Sequence, residues 1–493
     1  MPHHKLLTRT GFAALALSLT ACATASSVSS QARTGAITQR EAQEGAQAHP
    51  QLLAEFGGAM TGPQAQYVEQ VGKRIAVQSG LSNAESAFTV SLLNSPVNNA
   101  FAIPGGYVYT TRQLVALMNN EAELAGVLGH EVGHVAARHS QRRQQAAQRN
   151  TLLGGLGAIL SGVLLGNSGI GQQIGQGLLQ GSQLLTLRFS RNQEIEADRL
   201  GIQYLSRAGY DPRAMSTVLT SLAAQNQLDA QLQGRGDASL PAWASTHPDP
   251  ASRVRGAAQF AQGKAGTATN RDTFLTRIDG LRYGDDPSQG IIEGQQFIHP
   301  ELRLSFAAPR GFYMINSSRS VNIQGQSGQA QFTLAPYNGN LDSYVRSVFA
   351  ALGGQQQQLA PSSLQRTTVN GLPGAVGTAR VNSGNGQVDV TVFAYEFSRD
   401  RAYHFTAITP AGRAAVFAPM FESVRRITAS EASAIVPRQL DVITVRAGDT
   451  VQSLSRRMAF DDAQETRFRV LNGLTASQQV QAGQKVKIVV RGR

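Results

Sequence analysis

The sequence predicts a multidomain protein of the α+β class. At 493 residues the chain is longer than a single hydrophobic core usually serves, so about three domains are expected. Apolar residues recur mainly with helical periodicity in residues 41–262, whereas residues 295–430 alternate as strands do. Residues 436–493 form a further segment after this one. We therefore expect a mainly helical domain with a small sheet, a linker over 263–294, an α+β domain and a small C-terminal domain.

The first 21 residues have the features of a secretory signal. A basic beginning at Lys5 and Arg9 precedes an apolar run too short to cross a bilayer, and the run ends in Leu-Thr-Ala-Cys at Cys22. This ending resembles the bacterial lipoprotein pattern, which implies cleavage before Cys22, lipidation of its thiol and, with Ala23 next, an outer-membrane destination. The alternative is a chance cysteine after an uncleaved leader. Residues 22–40 are rich in small polar residues and are expected to form a tether.

Cys22 is the only cysteine in the chain. An internal disulfide is therefore excluded, and no other cysteine is present to bind a metal ion.

A small sheet is expected early in the mainly helical domain. Residues 63–78 have helical spacing, residues 88–93 are typical of a strand, and residues 99–103 and 107–111 flank Pro-Gly-Gly as a hairpin.

A His-Glu-x-x-His motif lies on the next predicted helix. Asn119 or Asn120 can cap that helix, and the apolar residues around the motif predict that it is buried. Residues four apart share one face of a helix, so His130 and His134 can both reach one metal ion, with Glu131 beside it. This arrangement predicts a zinc peptidase site with Glu131 as the general base. Two partly buried histidines with ordinary hydrogen bonds are the alternative.

A catalytic zinc ion also needs a third protein ligand, which we expect from the helix after Ser190. Ser190 and Gln193 form a potential capping box, so Glu194 and Asp198 lie one turn apart on the same face. We assign Glu194 as the third ligand and Asp198 as the acceptor for the free N–H of a liganding histidine. A solvated acidic face is the alternative, and the histidine motif favours the metal site.

Four ordered motifs resemble the CaaX-prenyl-protease/HtpX-like zinc metallopeptidases, in their periplasmic BepA-like branch. They are NAFAIPGG at 99–106, HEVGH at 130–134, EIEAD at 194–198 and STHP at 245–248. The resemblance implies one zinc ion bound by His130, His134 and Glu194, with Glu131 as base. It further implies that His247 reaches toward the metal, either keeping the enzyme latent or assisting catalysis. It gives His139 no role.

In the same family the first strand of the hairpin binds the main chain of the substrate. The matching residues here are Asn99, Ala100, Phe101 and Ala102. Pairing along a strand edge recognises extended chain rather than sequence. Without the resemblance an ordinary hairpin is an equal alternative.

Residues 151–181 are uncharged over their first part and carry small residues four apart, at Gly154, Ala158, Gly162 and Gly166. Small residues at this spacing let helices approach closely, which predicts a Gly-rich helical hairpin that covers the cleft or dips into the membrane surface. An internal core hairpin and a flexible loop are the alternatives.

Two further helices are expected before the linker. The first ends at about Gln225, and Asp249-Pro250 begins the second. In residues 295–430 we expect strands at 302–306, 330–334, 388–395 and 403–408, and helices at 341–352 and 413–424. This domain faintly resembles PsbP-like folds, and its His299 and His404 lack metal-ligand spacing.

The last segment resembles a LysM module. The matching pieces are Ile443 to Val451, Leu471-Asn472-Gly473-Leu474 and Val480 to Ile488. The resemblance implies a small βααβ domain, in the order strand, two short helices and strand. It also implies binding to a glycan that contains N-acetylglucosamine, as in peptidoglycan. Met458-Ala459 replaces the usual Tyr-Gly, which leaves the fold better supported than the sugar binding.

The chain carries a formal net charge of +12. A positively charged surface of this kind would attract polyanions such as cell-wall polymers or lipid head groups. The chain has no nucleic-acid-binding motif, and nucleic acid is not expected as a partner of an exported lipoprotein.

Together these features predict a zinc endopeptidase of the bacterial cell envelope. We expect it to be lipid-anchored in the periplasm at the inner leaflet of the outer membrane, where it degrades misfolded or misassembled outer-membrane or periplasmic proteins. One alternative is a largely latent chaperone or assembly factor for envelope proteins. Another is a binding lipoprotein attached to the cell wall.

Overall fold

The computed structural model describes residues 35–142, 189–233, 247, 250–353, 359–383 and 386–492. The predicted signal, Cys22, most of the tether and the glycine-rich segment 151–181 lie outside the described residues. Within the described part of the chain, every helix is too short or too polar to cross a bilayer.

The described residues between 35 and 278 are mainly helical, as predicted. The helices are α1 (Gln39–Glu55), α2 (Pro63–Ala76), α3 (Arg112–Leu117), α4 (Glu121–Ala136), α5 (Arg191–Arg207), α6 (Ala214–Leu232), α7 (Pro250–Ala261) and α8 (Arg271–Ile278). Asn120 caps α4, and Ser190 with Gln193 forms the predicted capping box of α5. Helix α6 runs beyond the expected end at Gln225, because Leu228 and Ala230 are buried in its last turns.

A three-stranded sheet packs beside these helices. Its strands are β1 (Thr89–Leu93), β2 (Ala100–Ile103) and β3 (Tyr107–Thr111), in the order β1-β3-β2. Strand β1 is parallel to β3, and β2 and β3 form the predicted hairpin, with Phe101 opposite Tyr109. Strand β2 therefore lies at one edge of this sheet.

Helix α4 lies in the middle of the core. Each of its residues except Val135 is buried, and it packs against α2, α5 and α6. Helix α5 approaches it closely, because a Cβ atom on Gly201 would lie 3.0 Å from the backbone nitrogen of His130. A larger residue at position 201 would push the two helices apart. The absence of a side chain there sets the distance between the HExxH motif and Glu194.

The segment 263–294, expected to be a linker, is folded instead. It contains α8, strand β4 (Arg282–Tyr283) and strand β5 (Ile291–Glu293), which pairs with β6 (Gln296–His299) just beyond it. Phe274, Leu275 and Ile278 are buried in the same core as α4. The segment joins this core because its few apolar residues lie on one face of α8, a pattern that its polar composition hides in the sequence.

The middle region is rich in sheet. Its other strands are β7 (Leu304–Ala307), β8 (Phe312–Asn316), β9 (Val321–Gly325), β10 (Gly328–Leu334), β11 (Ser363–Val369), β12 (Leu372–Ser383), β13 (Gly386–Ser398), β14 (Arg401–Pro410) and β15 (Arg425–Arg426). Seven of them form a sheet in the order β11-β12-β13-β14-β10-β9-β8, and β15-β7-β6-β5 form a second sheet. Helix α9 (Leu341–Gly353) packs on β12 and β13, and α10 (Ala418–Ser423) packs on β7. The predicted strands at 330–334, 388–395 and 403–408 and the helix at 341–352 are confirmed. The strand predicted at 302–306 begins at Leu304, and the helix predicted at 413–424 is a 3₁₀ turn followed by α10.

The C-terminal region has the predicted order of strand, two short helices and strand. After α11 (Ala429–Ser433), these elements are β16 (Arg438–Thr444), α12 (Val451–Ser455), α13 (Gln464–Leu471) and β17 (Lys485–Arg491). Strand β16 pairs with both β17 and β4. The apolar residues of this region, including Leu454, Phe468 and Ile488, belong to the same continuous core as α4. This part of the chain is therefore built into the helical region.

Lys487 lies where these two regions meet. Its side chain is buried, and Nζ donates hydrogen bonds to the carbonyl oxygens of Ala116 at 2.8 Å, Leu117 at 3.3 Å and Met118 at 2.5 Å. Those carbonyls end α3, and α4 begins three residues after Met118. Burial lowers the pKa of Lys487, and the carboxylate of Glu123 in the first turn of α4 opposes that shift. The ammonium of Lys487 thus satisfies three carbonyl oxygens at the end of α3 and lies near the carboxylate of Glu123 at the start of α4.

We expect Lys487→Met to lower the free energy of unfolding by about 3 kcal/mol, because it leaves buried carbonyls and Glu123 without their cation. Urea denaturation followed by circular dichroism measures this loss. Lys485→Met is the matched control on the same strand, where the ammonium bonds only the exposed hydroxyl of Thr276, and it should cost less than about 1 kcal/mol. Equal stability of the two variants would contradict the role given to Lys487.

Candidate metal centre

Three histidines and one glutamate form a buried cluster. His130 and His134 come from α4, Glu194 from the first turn of α5, and His247 from the chain shortly before α7. One donor atom from each of the four side chains lies within 4.8 Å of all the others. The cluster brings together four residues that the sequence assigned to one site.

The spacing of the donor atoms suits a small tetrahedral ion. His130 Nε2 lies 3.0 Å from His134 Nε2, and Glu194 Oε1 lies 3.4 Å from His134 Nε2. His247 Nδ1 lies 3.1 Å from Glu194 Oε1 and 3.4 Å from His130 Nε2. Ligand bonds of about 2.0 Å in a tetrahedron place neighbouring donors about 3.3 Å apart. The quoted spacings of 3.0–3.4 Å are close to this value, as expected for donors that can share one divalent cation.

The charges around the cluster also fit a divalent cation. Three buried carboxylates and one buried guanidinium line the site: Glu131, Glu194, Asp198 and Arg253. With neutral histidines, three negative charges and one positive charge leave −2. A divalent cation neutralises this charge, which would otherwise be costly to bury.

Asp198 and Arg253 contact two residues of the cluster, His130 and Glu194. Asp198 Oδ1 lies 2.9 Å from His130 Nδ1. If His130 binds a metal ion through Nε2, its proton is on Nδ1, and Asp198 can accept a hydrogen bond from that N–H. Arg253 on α7 donates from Nε to Asp198 Oδ2 at 2.8 Å and from Nη1 to Glu194. The geometry agrees with the expectation for Asp198. Sequence reasoning missed Arg253, although two carboxylates on one buried face require a nearby cation.

The surroundings of Glu194 and Glu131 shift the pKa values of these two side chains in opposite directions. Burial opposes ionisation of Glu194, but its contacts with His247 and His134 lower its pKa. Burial raises the pKa of Glu131 despite the neighbouring His247 and His130. Glu131 Oε1 has no hydrogen-bond partner among the described residues. The Glu131 carboxylate therefore has an acceptor atom available for a proton, as a general base needs.

Two residues that the sequence analysis did not assign contact the ring of His134. His139 Nδ1 lies 2.8 Å from His134 Nδ1, and the ring of Phe189 stacks on His134 with centroids 3.8 Å apart. Helical spacing places His139 off the liganding face, but α4 ends at Ala136 and Arg138 has a φ of 53°. This turn returns the chain so that His139 lies behind His134.

The expected substrate strand is in place beside α4. Asn99 and Ala100 are buried, and Phe101 packs on Tyr109 with ring centroids 4.6 Å apart. Ala102 is partly exposed. Asn99 Oδ1 is buried and has no partner among the described residues. Binding of substrate by these four residues stays a prediction.

Comparison with known proteins agrees with this geometry. Residues 63–260, which contain all of the cluster, match the model of peptidase family M48. This segment is an M48 peptidase domain. Residues 443–489 match the LysM domain. The metallopeptidase family and the LysM module expected from the sequence are confirmed.

Named relatives match over the peptidase region. The β-barrel assembly-enhancing protease of Escherichia coli O157:H7 is 37% identical over 192 residues, which are 38% of this chain and 37% of that protein. The protein of the same name from Yersinia pestis is 36% identical over 228 residues, 45% of this chain and 44% of that protein. The mitochondrial metalloendopeptidase OMA1 of Schizosaccharomyces pombe is 32% identical over 212 residues, 42% of this chain and 57% of that protein. The chain thus spans about half the length of these relatives, or less.

Proposed function

We propose that this M48 protein is a zinc-dependent endopeptidase of the bacterial cell envelope, with one zinc ion per chain. The buried cluster of His130, His134, Glu194 and His247 beside Glu131 carries the proposal. Three of these residues are the zinc ligands and leave the fourth position for water or for His247. Two imidazoles and one carboxylate form a ligand set typical of zinc peptidases.

When bound at this site, zinc would act as a Lewis acid that lowers the pKa of water and polarises the scissile carbonyl. Glu131 takes a proton from the attacking water and passes it to the leaving amine nitrogen. Asp198 and Arg253 hold His130 and Glu194 in fixed orientations, so these ligands need no rearrangement during the reaction.

His247 is proposed to hold the enzyme in a latent state. Its Nδ1 lies among the donor atoms of the cluster, while its Nε2 lies 3.6 Å from Glu131 Oε1. In this position the ring occupies the space that water and substrate need next to the metal. Withdrawal of His247 would open the site. The alternative is that the ring assists the reaction from the cleft.

The proposed substrates are misfolded or misassembled outer-membrane or periplasmic proteins. Strand β2 has one edge unpaired within its sheet, and edge pairing recognises extended chain. The names of the bacterial relatives point to the assembly of β-barrel proteins. The LysM domain supports peptidoglycan as a second partner.

Two other functions give different results in the same test. A largely latent chaperone or assembly factor would bind envelope proteins without cutting them, and a wall-attached binding lipoprotein would depend on its LysM domain. The near-tetrahedral cluster beside Glu131 favours the peptidase, because a binding protein has no need of a buried general base.

We expect Glu131→Gln to lower the rate of casein cleavage by about 10²- to 10⁴-fold, because the amide cannot accept the proton of the attacking water. Zinc content should remain at one per chain, since Glu131 is not a ligand. Glu44→Gln, at an exposed position on α1, is the control and should cleave at the wild-type rate. Unchanged cleavage by Glu131→Gln, or purified protein without zinc, would refute the peptidase proposal.

His247→Ala should raise the rate of casein cleavage while the other three ligands retain zinc. If the latent state is favoured by about 1.4 kcal/mol, the increase is about tenfold. Cleavage and bound zinc are measured on the same preparation. A lower rate with zinc retained would show that His247 assists the reaction instead of blocking it, and an unchanged rate would give it no role.

The proposed location is the periplasmic side of the outer membrane, with the lipidated Cys22 as anchor. Cys22→Ser removes the thiol that the lipid would modify, so the protein should move from the membrane fraction to the soluble periplasmic fraction on cell fractionation. Retention in the membrane fraction would contradict the lipid anchor.

A further inference from the structure

His139 extends the metal centre beyond the residues assigned by motif. Its imidazole is fully buried, and its Nδ1 faces His134 Nδ1 at 2.8 Å. His139 is not among the four clustered donors, which meet His134 at its other nitrogen, Nε2. His139 therefore contacts the site through His134 and not through the metal position.

The other nitrogen of His139 also has a partner. Nε2 lies 3.1 Å from Glu196 Oε2, and Arg142 Nη2 donates to the same carboxylate oxygen at 2.8 Å. Glu196 is two residues after Glu194 on α5 and faces away from the cluster, with about a third of its side chain exposed. A chain of contacts thus runs from His134 through His139 to Glu196 and Arg142.

One arrangement of protons satisfies both hydrogen bonds when His134 binds a cation through Nε2. The remaining proton of His134 is then on Nδ1, so His139 Nδ1 must accept it. A neutral His139 carries its own proton on Nε2, where it donates to the Glu196 carboxylate. The carboxylate thereby fixes the tautomer of His139, and His139 fixes the tautomer of His134.

We propose that His139 is a positioning residue for the metal site, which holds His134 in the zinc-binding tautomer and orientation and is itself oriented by Glu196. This inference rests on the proposed zinc peptidase function. It assigns different acceptors to the two histidines of the motif. His130 donates to the charged Asp198, whereas His134 donates to a neutral imidazole.

Zinc affinity of the full-length protein tests this role without any assay of activity. The dissociation constant is measured by competition with a chromophoric chelator for the wild type and for each variant. His139→Leu removes the acceptor and should weaken zinc binding by about 10- to 100-fold. His139→Asn places an amide oxygen close to the former position of Nδ1 and should recover most of that loss.

Glu196→Ala provides a second test that does not alter the core. It removes the group that orients His139, so zinc binding should weaken, but less than in His139→Leu. Glu44→Gln is the control and should bind zinc as the wild type does. If His139→Leu does not fold, Glu196→Ala decides the question.

Three results would overturn the inference. They are wild-type zinc affinity in a folded His139→Leu protein, equal affinity of the Asn and Leu variants, and wild-type affinity in Glu196→Ala. A wild-type protein that binds no zinc would instead refute the proposed function, so the two failures are distinguishable.

Discussion

The contact of α5 with α4 is the constraint on which the rest of the site depends. Gly201 lets the backbones of the two helices approach so closely that a methyl group would crowd the nitrogen of His130. At this separation the first turn of α5 brings Glu194 to hydrogen-bonding distance of the histidine cluster, and the second turn brings Asp198 to His130. Backbone packing therefore determines the distances between ligands before any cation binds.

This packing creates an electrostatic problem that the surrounding elements offset. Carboxylates buried between two helices would destabilise the fold if they were left unpaired. Arg253 from α7 offsets part of their charge, and a divalent cation would offset the rest. Helix α7, which supplies this balancing charge, begins three residues after His247, the residue proposed to block the metal.

Much of the site could be predicted from the sequence, because it depends on local rules. The HExxH spacing predicts that His130, Glu131 and His134 lie together on one helix. The capping box at Ser190 predicts where α5 begins, and therefore that Glu194 and Asp198 share one face of it. His139 was missed because helical spacing no longer applies after Ala136, where the chain turns through the left-handed Arg138. Arg253 was missed because a single arginine on a helix gives no sign of whether it faces solvent or buried carboxylates.

The larger errors concern contacts between distant parts of the chain. The segment 263–294 has the composition of a linker, yet Phe274 and Leu275 complete a core formed by other elements. The LysM elements were predicted correctly, but nothing in the local pattern of β17 indicates that Lys487 meets the end of α3. Periodicity identifies which face of an element is buried, and it does not identify the partner that buries it.

The contact made by Lys487 has a consequence for the order of events in biosynthesis. Its ammonium and the carbonyl of Ala116 are 371 positions apart in the chain. Closing so long a loop is entropically costly, and contacts of this kind form late in folding. The environment of the HExxH helix is therefore completed only after β17 has been made, so a nascent chain that stops short of β17 holds the clustered histidines and Glu194 within an unfinished core.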